Sequence, residues 1–299
     1  MRPTWIWSIA LAAAVAWTNP ATSQERPNRP PQKLPEGVKV LRDLQYVENG
    51  HERNRLDLYL PEKTDARLPL VVWIHGGAWQ AGSKEGCPAV FLAAKGYAVA
   101  SINYRLSQHA VFPAQIEDCK AAIRWLRANA AKYHVDSDHV GVWGASAGGH
   151  LVAMLGVTGK VKALEGQGGN LDQSSRVQCV VDWFGPSNFA TMRGWHNDPG
   201  SPEARLIGGS VQENPEKARK ASPLTYVDKD SAAFLIMHGD KDNVVPPGQS
   251  DELADALKKA GVEVTLQVIK DNGHGGPGFG SPERRKQIED FFAKHLGNR

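Results

Sequence analysis

The chain has 299 residues, 41% hydrophobic and 22% charged, an ordinary globular balance with room for one large domain or two small ones. Its formal net charge of +3 is small and its Lys and Arg are scattered, which excludes a nucleic-acid partner.

Met1-Arg-Pro supplies a positive start, Trp5 to Trp17 is an apolar run without charge, and Ala21-Thr-Ser23 offers small residues around a cut. This is the pattern of a secretory signal peptide over residues 1–23, cleaved near Ser23–Gln24. The run is shorter than the roughly 20 residues needed to span a bilayer. No stable membrane anchor is therefore expected, and the mature chain is expected to be secreted or periplasmic. Residues 24–37 are polar and proline-rich and read as an extended linker. The folded domain is expected over residues 38–299.

Val38–Val47 and Arg55–Leu60 read as antiparallel strands around the turn chemistry of Asn49-Gly50. Leu68–His75 is nearly continuous in apolar residues, as in a strand buried on both faces. The chain then alternates. Helices are expected at Pro88–Lys95, Phe112–Tyr133, His150–Gly156, Glu252–Ala260 and Pro282–Leu296. Strands are expected at Tyr97–Tyr104, Val140–Trp143, Val177–Phe184, Phe234–Met237 and Val262–Ile269. Such alternation implies an α/β fold, a mostly parallel sheet with helices on both faces. The segment at about 186–227 breaks the pattern and is expected to be a cap insertion. Cys179 lies in an apolar run and is expected to be a buried thiol, which leaves Cys87 and Cys119 as the candidate pair if a bridge forms.

Gly144-Ala-Ser-Ala-Gly148 matches G-x-S-x-G between a strand and a helix, where a sharp turn built of small residues exposes the serine. Ser146 is the candidate nucleophile. A hydroxyl needs a base to take its proton and donors aimed at the developing oxyanion. Upstream, the apolar strand ends in His75-Gly-Gly-Ala-Trp79, so the N–H groups of Gly77, Ala78 and Ala147 are the candidate oxyanion donors. His75 reads as a loop-ordering side chain and His150 as a packing residue.

Two acids, Asp240 and Asp242, follow the strand at Phe234–Met237. Asp242, ahead of Pro246, is the expected orienting acid; Asp240, beside Gly239, is the alternative to it and could instead hold the turn. His274, flanked by glycines in the loop after the last strand, is the expected base. The chain order Ser146, Asp242, His274 is that of the α/β-hydrolases. Trp79, Phe189 and Trp195 are candidates to wall an acyl or sugar site, or equally to pack in the core or cap. Gly273–Gly278 matches G-x-G-x-x-G, but the short remaining chain lacks the second strand of a dinucleotide site. No metal-ligand spacing appears, so neither metal nor cofactor is expected.

The chain also resembles the bifunctional acetylxylan/feruloyl esterase group of α/β-hydrolases, near the hormone-sensitive-lipase-like esterases. The matching residues are His75–Trp79, Asn103-Tyr-Arg-Leu106, Phe112-Pro-Ala114 with Asp118, Gly144–Gly149, His238-Gly-Asp-Lys-Asp242 and Gly273-His274. Ala78 and Ala145 stand where the lipase-like relatives carry Gly and Asp. The resemblance implies a serine esterase acting on small esters or acylated polysaccharide. The alternatives are a general carboxylesterase or lipase, a kynurenine-formamidase-like hydrolase, or a peptidase-like one. Non-catalytic binding modules of this fold lose the serine or the histidine, and this chain has both.

Overall fold

A computed structural model describes residues 33–297. The expected signal peptide and most of the expected linker lie outside the described residues. The sheet has eight strands: β1 (Val38–Gln45), β2 (Arg55–Pro61), β3 (Leu68–Ile74), β4 (Ala98–Ile102), β5 (Val135–Ala145), β6 (Cys179–Trp183), β7 (Ala233–Gly239) and β8 (Val264–Ile269). Their spatial order is β1-β2-β4-β3-β5-β6-β7-β8. The first two strands are antiparallel to their neighbours, and the six from β4 to β8 run parallel.

Eight α-helices are described: α1 (Ala114–Ala128), α2 (Ala130–Tyr133), α3 (Ala147–Val157), α4 (Phe189–Met192), α5 (Pro202–Ile207), α6 (Pro215–Ala221), α7 (Gly248–Lys259) and α8 (Pro282–Leu296). Alternate residues of the central strands bury on opposite faces, as the two-residue period of a strand requires. Leu70, Val72 and Ile74 pack with α1, α3 and α7. Val71 and Trp73 pack with α8 and with the 3-10 helix at Pro88–Lys95.

Several boundaries differ from the sequence reading for local reasons. The long helix expected over 112–133 starts only at Ala114, because a residue preceding proline is pushed out of helical geometry. It breaks at Asn129, whose side-chain amide donates to the Trp125 carbonyl and competes with the backbone. The segment at 186–227 folds as α4, α5 and α6 with 3-10 turns at Gly194–Asn197 and Pro223–Tyr226. All three cysteines are buried thiols. The candidate pair is not bridged, because Cys87 packs on the α8 face of the sheet and Cys119 on the α1 face.

Candidate active site

Parallel strands place the loops at their carboxyl ends along one edge, and Ser146, Asp242 and His274 meet there. Ser146 sits between the end of β5 and the start of α3 with φ 57° and ψ −122°. A serine pays for that left-handed backbone only where its surroundings enforce it. They do so by close approach. A Cβ on Gly144 would stand 2.2 Å from the Gly148 carbonyl oxygen, and one on Gly148 would stand 2.1 Å from that of Ile74. The Ser146 N–H donates to Trp183 O at 2.8 Å, which ties the turn to β6.

His274 follows β8, and its ring leans on Phe184 with centroids 4.6 Å apart. Its Nδ1 lies 2.7 Å from Asp242 Oδ2 and its Nε2 lies 2.8 Å from Ser146 Oγ. A carboxylate only accepts, so Nδ1 carries the proton and Nε2 is left to receive one from the serine hydroxyl.

Asp242 is buried, which alone would push its carboxyl up. Hydrogen bonds from His238, His274 and the Val245 N–H outweigh this and hold it well below the usual carboxylate range. Val244 N–H and Val245 N–H reach Oδ1 at 2.8 and 2.9 Å, and His238 Nε2 stands 3.2 Å from Oδ2. Asp240 is exposed and lies outside this cluster.

Gly77, Ala78 and Trp79 have φ of 110°, 55° and 55°. Among the described residues, the N–H groups of Gly77, Ala78 and Ala147 make no hydrogen bond within the protein. His75 is buried at the base of this loop. Its Nδ1–H donates to Gly76 O at 2.7 Å, and Tyr104 stacks on its ring at 4.5 Å. Burial pushes the His75 pKa down to about 4, with Arg53 acting in the same direction. Arg53 donates to Gly82 O at 2.9 Å and to His75 Nε2 at 3.2 Å, and so holds both ends of the loop, and its Nε–H donates to Tyr104 O at 2.7 Å.

The residues that sequence reasoning missed here are Arg53 and His238. His238 stands in a quoted motif, whereas Arg53 lies in a β1–β2 loop that carries no catalytic signal. The candidate wall residues divide. Trp79 and Phe189 are buried at 2% and 0% exposure, because both rings pack on His150 beneath the loop. They are core residues and form no wall. Trp195 is exposed on the insertion, with its ring against His196.

Residues 56–257 match the BD-FAE family profile. The chain belongs to the BD-FAE family. The profile covers Ser146 and Asp242 and ends before His274. Among curated relatives of this BD-FAE member, esterase LipQ of Mycobacterium tuberculosis is 30% identical over 262 residues, covering 85% of this chain and 61% of LipQ. The chain thus spans about three fifths of the length of the curated relatives it matches. A solved structure described as a truncated form of a carbohydrate esterase from gut microbiota superposes with TM-score 0.84 and 38% identity, covering 89% of this chain and 99% of that one. A bifunctional GH43-CE protein of Bacteroides eggerthii gives 0.80 and 40%, covering 86% of this chain and 35% of that one. These likenesses identify the fold as that of the α/β-hydrolase esterases.

Proposed function

We propose that the protein is a serine ester hydrolase that removes acetyl or feruloyl groups from plant polysaccharide. The observation that carries this reading is the Ser146 hydroxyl 2.8 Å from His274 Nε2, with Asp242 2.7 Å from the other ring nitrogen. Ser146 attacks the ester carbonyl while His274 accepts its proton. The unpaired N–H groups of Gly77, Ala78 and Ala147 receive the oxyanion. His274 then returns the proton to the leaving alcohol, and water, activated by the same histidine, releases the acid from the acyl-enzyme. Asp242 stays ionised throughout, holds the imidazole in one tautomer and stabilises its cation. The carbohydrate esterase named among the similar structures supports the substrate class. The apolar run from Trp5 to Trp17 supports export, with Ser23–Gln24 as the cut.

The burial of Trp79 and Phe189 favours a second reading, a general short-chain carboxylesterase, because it removes two of the three aromatics available to stack on a sugar. A panel of acetylated xylan, methyl ferulate and long-chain p-nitrophenyl esters separates the two. Release of acetate from xylan or of ferulate at a kcat/KM above that for p-nitrophenyl butyrate supports the polysaccharide reading. Turnover of the simple esters alone overturns it. Amino-terminal sequencing of protein recovered outside the cell is expected to begin at Gln24, and recovery only of a chain beginning at Met1 contradicts export.

A further inference from the structure

We propose that His150 is a positioning residue that locks the oxyanion loop to the nucleophile helix and to the insertion. The inference rests on the reading of Ser146 as nucleophile. Its basis is a buried joint between three segments distant in sequence. Trp79 Nε1 lies 3.1 Å from His150 Nδ1, and His150 Nε2 lies 2.7 Å from the carbonyl oxygen of Ala221, the last residue of α6. An indole N–H can only donate and a carbonyl can only accept. One tautomer satisfies both: Nδ1 bare and Nε2 protonated. Phe189 closes the joint, stacked on His150 at 5.3 Å and edge-on to Trp79 at 5.7 Å. All three side chains are buried.

Ala78 and Trp79 both hold φ of 55°, a backbone that side-chain-bearing residues keep only when their surroundings determine it. The Trp79 indole is the anchor one residue from the Ala78 N–H. His150 receives that anchor and passes the constraint to the insertion. A second proton on the ring would face the indole N–H head-on, so the joint holds only while His150 is neutral. Burial keeps it so, pushing the His150 pKa down to about 4. A purely structural histidine would affect folding. A positioning one acts on the donors that meet the tetrahedral state and not on ground-state binding.

The test compares wild type, His150→Phe, Trp79→Phe and the double variant. His150→Phe keeps a ring without either hydrogen bond, and Trp79→Phe removes the same donor from the other side. The measurements are kcat and KM for p-nitrophenyl acetate and the Kd of phenylboronic acid, which forms a tetrahedral adduct with a serine. Each single variant is expected to lose about ten- to hundredfold in kcat, with KM within about twofold and the boronate Kd raised in proportion. The double variant is expected to be no worse than the more severe single one, as for residues that act through one contact.

A folded variant with wild-type kcat, a loss confined to KM, or fully additive losses overturns the inference and leaves the esterase reading intact. A wild type that neither turns over ester nor reacts with a fluorophosphonate overturns both. The indole N–H of Trp79 in the intact protein gives a readout independent of how the variants fold. Slow hydrogen exchange is expected there, and exchange at the rate of an exposed indole contradicts the joint.

Discussion

The turn at Gly144–Gly148 and the insertion at 186–227 border the same edge of the sheet but are held in opposite ways. The turn is fixed by backbone against backbone. Neither Gly144 nor Gly148 has room for a methyl group, since each added Cβ would overlap a carbonyl at about two-thirds of contact distance. The insertion is held by side chains from beneath. Gln249 of α7 accepts from the N–H groups of Ser187 and Asn188 at 2.9 and 2.8 Å and donates to Thr191 Oγ1 at 2.8 Å. Ser222 accepts from Phe189 N–H at 3.1 Å, and a Cβ on Gly200 would meet open space. The turn thus has one geometry with no slack, whereas the insertion is held by side chains, with Phe189, Leu206, Ile207, Val211, Ala218 and Ala221 in the hydrophobic core and Gln249 meeting its backbone N–H groups.

The largest expected effect falls on the rigid side. Asp242→Asn allows the wrong His274 tautomer and is expected to lower kcat by roughly 10⁴-fold, and to lower the melting temperature as well, because the ionised carboxylate and its four donors contribute stability at neutral pH. A loss under tenfold would mean that another group orients the ring. Gly148→Ala is expected to destabilise the fold by about 3–5 kcal/mol in urea titration, whereas Gly200→Ala should stay within about 0.5 kcal/mol. Equal effects at the two glycines would erase the contrast. On the insertion side, Gln249→Ala leaves the buried Ser187 N–H and the half-buried Asn188 N–H unmet and is expected to cost about 2–3 kcal/mol of stability, with Ser146 still reactive.

The mildest effect is pH-dependent and concerns Asp182, which braces the turn from β6. Its Oδ1 accepts from Gly185 N–H at 3.0 Å. Burial pushes its pKa up from 3.8 to about 6, against the pull of Gly185 N–H and His238. The folded state therefore binds this proton more tightly than the unfolded one, and the contribution of Asp182 to stability falls as pH rises from about 4 to about 6. Asp182→Asn cannot ionise. It is expected to gain about 1–3 kcal/mol relative to wild type across that interval, measured by denaturation at each pH. A difference that is flat with pH would show that Asp182 titrates alike in both states.

Much of this was legible before any coordinates. The unbroken apolar run of β3 and the glycine knot around Ser146 have few physical solutions, and a histidine between glycines after the last strand has few structural reasons to exist. What escaped the sequence was side-chain direction. An aromatic next to His-Gly-Gly reads as a pocket wall, but the positive φ of Ala78 and Trp79 turns the indole inward onto His150. That partnership spans 71 residues, and its other partner is a backbone carbonyl, which no residue type announces. The candidate Cys87–Cys119 pair failed likewise, because proximity along an alternating α/β chain says nothing about which face of the sheet a side chain joins.

The most direct test of the central claim is fluorophosphonate labelling followed by peptide mapping. One adduct is expected, on Ser146, lost together with p-nitrophenyl acetate turnover in a folded Ser146→Ala variant. Turnover that survives that substitution, or an adduct on any other residue, would contradict the account.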